Sequence, residues 1–388
     1  MIAIGVIGAG KRTRALFRNI ASDAPEKIEP RFVYDPSQEN REIFRQAFAE
    51  IPLEFTETAE EVVARPDVQA IMIGSPNSTH APLAIAALRR RLPLFVEKPV
   101  AISTGECREL WRTYVEAGRP AVSVGFALRY SPFFRKLFEI VDSGVIGQLL
   151  TVDSDEHISA GTTALFWDGW RRLAAVSGGL MIEKCSHDFD YLRRLTGRRA
   201  VRVYSAARRS HLRPDGPVKH ARFDNYARRR ALEAGVPVPE QSVYDTPTDN
   251  ADHQSVMIEW EDGILSSFTV AFGQPRNTRR VRILGSAGTI DGDAETGEII
   301  VEQLTDPDGE VRATRHVVTN DGTSHHGGDG AIRRTFWAML ASGTDTADAG
   351  LKDGIEAVVL GLAAEESART KMPVEIGPIR KDIFGDEA

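Results

Sequence analysis

Two glycines near the N-terminus, Gly8 and Gly10, have the spacing of a turn that binds a pyrophosphate. They directly follow the apolar run of residues 2–7 and precede a stretch of helical character. At a strand-to-helix turn, glycine permits a tight bend and lets a phosphate approach the N–H groups at the helix start. Thr13 stands where the usual fingerprint has a third glycine. The pattern predicts a dinucleotide site at the start of the chain.

Asp35 ends the second predicted strand and bears on the choice between NAD and NADP. A carboxylate at this position accepts hydrogen bonds from the adenosine ribose and repels a 2′-phosphate, which favours NAD. Lys11 and Arg12 lie close enough in sequence to the glycines to receive that phosphate instead. NADP therefore remains an alternative.

Glu183 and His187 are four residues apart, with Lys184 between them. If one helix spans residues 179–195, Glu183 and His187 share a face of it. Imidazole titrates near neutral pH, so His187 has the chemistry of a base that removes a hydroxyl proton. A histidine with a purely structural role also fits these residues alone.

Composition narrows the class of protein. The chain has 388 residues, which suits two domains, and a net charge of −7, which argues against binding to nucleic acid. No apolar run reaches the roughly 20 residues of a membrane-spanning helix, and the N-terminus lacks the features of a secretory signal, so we expect a cytoplasmic protein. No metal site is expected, because the two cysteines are too few and the adjacent histidines His325 and His326 lack the helical spacing of zinc ligands.

The hydrophobic pattern predicts an α/β protein with two domains. In residues 1–125, short apolar strands alternate with helical stretches, which is typical of a doubly wound parallel sheet. In residues 126–388, longer alternating segments predict an open, mostly antiparallel sheet with a few helices. A turn at Asp262-Gly263 indicates a hairpin in this sheet. Residues at about 205–250 show no clear period and are interpreted as an inserted loop or lid.

Several short motifs occur together along the chain. Residues 74–80 read GSPNSTH, residues 97–99 read EKP, and residues 126–132 read FALRYSP. Trp170-Arg171, the glycine pair at 178–179 and the segment GLMIEKCSHDFDYLRRLTG at 179–197 follow. This combination resembles the Gfo/Idh/MocA family, which is named for glucose-fructose oxidoreductase and inositol dehydrogenase, and the resemblance extends over both predicted domains. The segments at 249–254 and 325–329 resemble a subgroup that has the Glu-Lys-x-x-His helix.

The resemblance implies an N-terminal Rossmann domain, a C-terminal α/β domain and a substrate cleft between them. Lys98 would lie near the nicotinamide and the reacting hydroxyl, with a cis bond before Pro99. His187 would be the catalytic histidine, and Glu183 replaces the aspartate that is typical of the family. The implied cofactor contacts are Gly8, Gly10, Lys11, Arg12, Asp35, Ser75, Pro76, Asn77, His80, Glu97 and Lys98.

The implied activity is hydride transfer between NAD and a hydroxyl of a sugar, glycoside or polyol. The alternative is an NAD-dependent glycosidase, which oxidises a hydroxyl transiently, usually at C3, eliminates the aglycone and rehydrates. Its additional base would be Glu183, Lys184 or a tyrosine or histidine of the cleft. A non-catalytic NAD-binding sensor is a third hypothesis.

The expected substrate contacts are Arg129, Tyr130, Arg171 and Lys184. If the three cations face the cleft, they form a pocket for a carboxylated or sulfonated sugar, although a neutral polyol is equally compatible. The open sheet predicts a homo-oligomer, either a dimer or a tetramer.

Overall fold

The computed structural model describes residues 1–17, 28–167, 169–216, 224–225, 228–229, 242, 244–304, 309–345 and 347–387. Within them the chain packs as two units. The first comprises Met1–Pro132, Asn320–Val359 and Pro378–Ala388, and the second comprises Phe133–Thr319 and Leu360–Gly377.

A six-stranded parallel sheet forms the core of the first unit. In chain order its strands are β1 (Ile2–Ile7), β2 (Ile28–Tyr34), β3 (Glu54–Phe55), β4 (Ala70–Ile73), β5 (Leu94–Val96) and β6 (Val122–Val124). In space they are ordered β3-β2-β1-β4-β5-β6, which is the order of a dinucleotide-binding Rossmann sheet. The central strands are buried on both faces, and this explains their continuous apolar sequences.

Five α-helices of the described residues follow these strands: α1 (Lys11–Phe17), α2 (Gln38–Ala47), α3 (Ala59–Ala64), α4 (His80–Arg89) and α5 (Thr104–Glu116). Three of them begin at a hydroxyl side chain. Ser37, Thr58 and Ser103 each accept a hydrogen bond from a backbone N–H of the first turn, which is the usual way to satisfy a helix N-terminus.

The strand order reverses between β1 and β4, which are hydrogen-bonded neighbours with Ile7 opposite Ile73. Gly8 and Gly74 therefore leave adjacent strands at the same edge of the sheet. In open α/β sheets, ligands bind in the crevice outside such a reversal. The fold thus places the predicted nucleotide turn at the expected position.

A nine-stranded mixed sheet forms the core of the second unit. Its strands are β7 (Leu149–Ser159), β8 (Ala200–Arg208), β9 (His253–Trp260), β10 (Leu265–Gln274), β11 (Thr278–Gly285), β12 (Gly288–Asp293), β13 (Glu298–Leu304), β14 (Val311–Val317) and β15 (Val374–Glu375). They are ordered β14-β13-β12-β11-β7-β10-β9-β8-β15. Only the described pair β7 and β10 is parallel. The predicted hairpin is confirmed, because Asp262 takes a left-handed conformation between the antiparallel strands β9 and β10.

Helices α6 (Pro132–Asp142), α7 (Ala160–Trp167), α8 (Ala174–Ser177), α9 (Leu180–Glu183) and α10 (Ser186–Thr196) precede most of this sheet in sequence. Helices α11 (Gly328–Ser342) and α12 (Leu351–Thr370) lie between β14 and β15 in sequence, and α13 (Ile376–Phe384) follows β15. The ring of Tyr191 on α10 packs 4.5 Å from that of Phe134 on α6, measured between centroids.

The boundaries of the two units differ from the predicted domain boundary between residues 125 and 126. Segments 320–359 and 378–388 return to the first unit instead of belonging to the second. Aromatic packing explains this return: the ring of Phe336 lies 5.3 Å from Phe95 of β5, and that of Trp337 lies 5.4 Å from Phe17 of α1. These contacts join residues that no local sequence pattern connects.

The predicted lid at about 205–250 lies largely outside the described residues. Its first part is strand rather than loop, because β8 continues to Arg208 and pairs with β9. Its last part is anchored: Asp249 accepts a hydrogen bond from the Ala174 N–H at 2.8 Å, and Asn250 donates to the Phe166 carbonyl at 2.9 Å.

One face of the second sheet carries exposed apolar side chains. Tyr204 lies opposite Met257 across β8 and β9, and Leu265 follows on β10. Their exposed fractions are 43%, 59% and 46%. Such a face is suited to cover by a second subunit, and the homo-oligomer stays a prediction. Within the described residues, no helix combines the length and apolar character needed to cross a membrane.

Candidate active site

The turn after β1 has the conformation and the open space that a pyrophosphate requires. Gly8 has a φ of +93°, and a Cβ on it would lie 2.7 Å from the backbone of Gly74 and Ser75. At Gly10, by contrast, a Cβ would meet no atom of the described residues within 4 Å. The backbone before α1 is therefore open on the side of Gly10. This arrangement fits NAD, whose pyrophosphate binds at a helix N-terminus.

Thr13 replaces the third glycine of the usual fingerprint, and the structure shows how it is accommodated. That glycine ordinarily allows close packing between helix and strand. Thr13 is 1% exposed, and its hydroxyl occupies the space where a Cβ on Gly74 would lie. The glycine needed for this contact is thus supplied by the end of β4 instead of by α1.

Asp35 is buried at the end of β2 and is bonded to the nucleotide turn. One carboxylate oxygen accepts the Ala9 N–H at 2.8 Å, and the other accepts the Ser37 N–H at 2.8 Å. The amide of Asn40 donates to both oxygens at 3.3 Å. The carboxylate therefore has a fixed position beside the turn, while Lys11 is exposed.

Arg12 forms ion pairs instead of facing a free surface. Its Nε lies 2.7 Å from Oε1 of Glu97, and its Nη1 pairs with Asp329. Burial opposes the charge on Arg12, but the two carboxylates outweigh it and raise its pKa. A 2′-phosphate would have to compete with both carboxylates, which weakens the case for NADP.

The segment with His325 and His326 is a capping loop of the first unit. Both residues have left-handed φ angles, of 55° and 54°, immediately before α11. Nδ1 of His325 lies 2.8 Å from Oδ1 of Asp329 in the first turn. Burial raises the pKa of Asp329, but His325 and Arg12 outweigh it and lower the pKa to about 2.

His80 lies in the core between two loops of the nucleotide site. Nδ1 is 2.7 Å from the Pro99 carbonyl oxygen, Nε2 is 2.8 Å from the Ser75 carbonyl oxygen, and the residue is 1% exposed. Burial lowers its pKa. The imidazole thus bridges the end of β4 and the Glu-Lys-Pro turn. This bridge gives His80 a positioning role in the nucleotide site.

The other residues predicted to contact the cofactor here follow β4 and β5 and lie close to His80 in sequence or in space. Pro76 is exposed and Asn77 is buried. The Ser75 hydroxyl bonds to that of Thr79 at 2.6 Å. Lys98 is partly buried, and the bond to Pro99 is cis, as the motif implies.

Arg129 and Tyr130, which we expected to bind substrate, anchor a loop of the first unit. Arg129 is 7% exposed; it donates to the Asp348 carbonyl and lies 3.3 Å from Oδ1 of Asp353. The Tyr130 hydroxyl accepts the N–H of Asp348 at 3.0 Å and that of Ala349 at 3.4 Å. Burial raises the pKa of Tyr130 to about 12.

The segment with His187 corrects the prediction of a single helix over residues 179–195. Helix α9 ends at Glu183 and α10 begins at Ser186. Between them the Cys185 N–H lies 3.4 Å from the Leu180 carbonyl, five residues earlier. Glu183 and His187 therefore lie on two helices and do not share a continuous helical face. Both are buried, with exposed fractions of 5% and 4%.

Two predicted cations of the second unit are paired with carboxylates. Nε of Arg171 lies 2.9 Å from Oε1 of Glu183. Nζ of Lys184 lies 2.6 Å from Oε1 of Glu156 on β7. Arg171 also stacks over Trp170, with 4.4 Å between the guanidinium carbon and the ring centroid. The predicted ligands of an anion are thus neutralised by their own unit.

Asp188 adjoins the histidine and belongs to a buried ionic group. Nε of Arg279 lies 3.2 Å from Oδ1 of Asp188, and Arg279 also pairs with Glu156. Asp188 is fully buried; this burial, helped by the charge on Glu156, raises its pKa to about 6 despite Arg279. The first turn of α10 is therefore tied to β7 and β11.

Family models match both parts of the chain. The oxidoreductase family Gfo/Idh/MocA, described as having an NAD-binding Rossmann fold, matches residues 2–126, and the Gfo/Idh/MocA C-terminal domain matches residues 134–291. The chain belongs to the Gfo/Idh/MocA family. This confirms the resemblance drawn from the motifs, together with the NAD-binding class of the first unit.

Two relatives align with this chain over different lengths. YteT of Bacillus subtilis (strain 168) is 26% identical over 324 residues, which are 72% of this chain and 74% of YteT. Inositol 2-dehydrogenase of Gluconacetobacter diazotrophicus is 41% identical over 96 residues, which are 25% of this chain and 28% of that protein.

Solved structures share the fold at low identity. Levoglucosan dehydrogenase in complex with NADH and levoglucosan has a TM-score of 0.77 and 19% identity, covering 97% of this chain and 99% of that one. Apo scyllo-inositol dehydrogenase from Lactobacillus casei has a TM-score of 0.71 and 18% identity, covering 97% and 98%.

Some residues that shape this Gfo/Idh/MocA site were missed in the sequence. Glu365 on α12 accepts the Met181 N–H at 2.9 Å and thereby holds the start of α9. Asp329, Glu156 and Arg279 complete the ion pairs described above. Apart from the contact of Asp329 with His325, these pairs join residues far apart along the chain, so no motif or periodicity predicts them.

We predict that Gly74→Ala lowers the free energy of unfolding by about 1–3 kcal/mol, because the added methyl overlaps the Thr13 hydroxyl. Thr13→Ala in the same chain removes that hydroxyl and should restore most of the loss. Urea unfolding followed by circular dichroism measures both. Equal stability of Gly74→Ala and the wild type would contradict the contact.

Gly10→Ala is the matched control. Its methyl would point into open space, so stability should change by less than about 0.5 kcal/mol. The same methyl would stand where the pyrophosphate approaches, so NADH binding, followed by fluorescence, should weaken.

Proposed function

We propose that this protein is an NAD-dependent dehydrogenase that oxidises a hydroxyl of a neutral sugar or polyol. The family and the open turn at Gly10 support NAD chemistry. Relatives that act on such substrates support the class: inositol 2-dehydrogenase in sequence and levoglucosan dehydrogenase in fold.

The pairing of three candidate cations with carboxylates supports the proposal of a neutral substrate. Arg129 pairs with Asp353, Arg171 with Glu183, and Lys184 with Glu156. These are the three cations that would have formed an anion pocket. A carboxylate or sulfonate on the substrate would have to displace a carboxylate at each of them, which costs the energy of separating a partly desolvated pair.

In this proposal NAD, when bound, accepts the hydride from the carbon that carries the hydroxyl. His187 removes the hydroxyl proton, since imidazole is suited to general-base catalysis near neutral pH. Lys98, held in the turn that His80 bridges, contacts both cofactor and substrate. Glu183 keeps Arg171 in place, and the Asp188 group fixes the first turn of α10.

The glycosidase alternative has less support. It needs an additional base, for which the candidates were Glu183, Lys184 and a tyrosine or histidine of the cleft. Glu183 accepts a hydrogen bond from Arg171, and Lys184 is paired with Glu156. Neither pairing leaves a base with the freedom that the elimination step requires.

A substrate panel tests the proposal directly. The purified protein is incubated with NAD and with inositols, neutral monosaccharides, anhydrosugars, sugar acids, sulfonated sugars and aryl glycosides. We expect NADH absorbance to rise with one or more neutral compounds and to stay flat with the anionic ones. Exclusive activity on anionic sugars would overturn the choice of substrate, and release of aglycone without net NADH would favour the glycosidase.

His187→Ala should lower turnover by roughly 10²- to 10⁴-fold, the usual contribution of a positioned general base, while NAD affinity stays nearly unchanged. Lys98→Ala should impair both turnover and NAD binding. Steady-state kinetics on the substrate from the panel, together with NADH fluorescence titration, separates the two effects. His316→Ala, on β14, is the control. Near-normal turnover of His187→Ala would make this histidine structural.

Replacing Asp35 tests the preference for NAD. Asp35→Ser should narrow or invert the ratio of NAD to NADP affinity, since the carboxylate that repels the 2′-phosphate is lost. Asp35→Asn keeps an acceptor for the Ala9 N–H and removes the charge, at the cost of the acceptor for the Ser37 N–H, so it tests the repulsion while the bond to the nucleotide turn is kept. A wild type that prefers NADP would show that Lys11 or Arg12 determines the choice.

A further inference from the structure

Three side chains of the second unit, His211, Asp252 and His253, converge at the base of the segment that joins β8 and β9. One ligand-type atom from each lies within 4.8 Å of the others. His211 follows the end of β8 by a few residues, whereas Asp252 and His253 lie where β9 begins. The cluster is separate from the residues assigned above to NAD and substrate.

Both histidines place their Nδ1 atom close to the Asp252 carboxylate. Nδ1 of His253 lies 2.7 Å from Oδ1 of Asp252, and Nδ1 of His211 lies 3.1 Å from Oδ2. The Ser210 hydroxyl lies 3.5 Å from Nδ1 of His253. These spacings are those of hydrogen-bonded neighbours, and they are a few tenths of an ångström shorter than the separation of about 3.3 Å between two ligand atoms on one tetrahedral zinc ion.

The contact of Nε2 of His211 determines which ring nitrogen carries the hydrogen in the neutral imidazole. Nε2 lies 3.1 Å from the Phe272 carbonyl oxygen, which only accepts, so Nε2 carries a hydrogen. In the neutral ring, Nδ1 then presents a lone pair toward a carboxylate. Two such electron pairs repel unless a proton on Nδ1 or a metal ion lies between them. A backbone carbonyl on the far nitrogen is also the usual partner of a metal-binding histidine.

Backbone hydrogen bonds hold the Asp252 carboxylate in a fixed position. Its Oδ2 accepts the N–H groups of Ser210, His211 and Leu212 at 2.8, 2.7 and 2.9 Å. Its side chain has 0% exposure, while the two histidines are 34% and 44% exposed. The carboxylate is thus oriented from the buried side, and the imidazoles leave a path from solvent.

We propose that His211, Asp252 and His253 bind a divalent transition-metal ion of the zinc class. Two imidazole nitrogens and one carboxylate form a ligand set that zinc accepts and that magnesium and calcium disfavour. The ion links the end of β8 to the start of β9 and so fixes both ends of the intervening segment. No metal site was predicted from the sequence, where the histidines weighed as possible ligands were the adjacent pair His325 and His326.

The test uses the full-length protein after dialysis against a chelator. Zinc is titrated in competition with a colorimetric chelator, and Co²⁺ serves as a second probe because its visible absorption reports nitrogen and oxygen ligands. We expect one ion per chain and a rise in melting temperature with zinc. The double variant His211→Ala/His253→Ala should lose at least about tenfold in affinity and show no such rise.

His316→Ala, whose histidine lies on β14, is the matched control and should bind like the wild type. His253→Gln, a milder change at a partly exposed strand end, covers the case in which the double variant fails to fold, and it should also lose affinity. Equal zinc affinity in the wild type and in a folded His253→Gln or double variant would overturn the proposal. Absence of Co²⁺ absorption in the wild type would overturn it as well, leaving protonated imidazoles on the carboxylate.

Discussion

A buried positive charge requires a carboxylate beside it, and this requirement organises both units of the protein. Arg12, Arg129, Arg171 and Lys184 were candidate ligands for a phosphate or an anionic substrate, and each is paired with an acidic side chain of its own unit. For the largely buried Arg129 and Lys184, separating the pair leaves a charge uncompensated, which costs several kcal/mol, whereas the partly exposed Arg171 loses less. These cations therefore act first as structural elements, and the proposal of a neutral substrate rests on their pairing.

The nucleotide site depends on a different constraint, namely how closely two backbones can approach. Gly8 lies against the end of β4, and Gly74 leaves room for Thr13 on α1. His80 then connects the end of β4 to the turn that contains Lys98. The departure at Thr13 from the usual glycine fingerprint is thus compensated by a neighbouring strand, so the fingerprint describes a spatial contact rather than three fixed positions.

Carboxylates that hold backbone N–H groups recur in the second unit and orient other groups. Glu365 holds the start of α9, ahead of the break that separates Glu183 from His187. Asp252 receives three N–H groups and presents its other oxygen to His253. Buried carboxylates satisfied in this way keep a fixed position, which both a catalytic helix and a metal site need.

Local patterns predicted much of this protein. The continuous apolar strands of the first sheet, the turn at Gly8 and Gly10, the hairpin at Asp262 and the family motifs are all encoded within a few residues of chain. Steric and hydrogen-bonding rules act over that range, so β1 coincides with the apolar run of residues 2–7. Only the tertiary structure decided the partners of Arg12 and Lys184, the return of α11 to the first unit, the break before His187, and the meeting of His211 with Asp252. These features join residues far apart in sequence, and the energies of burial and charge pairing that select them depend on distances that exist only in the folded chain.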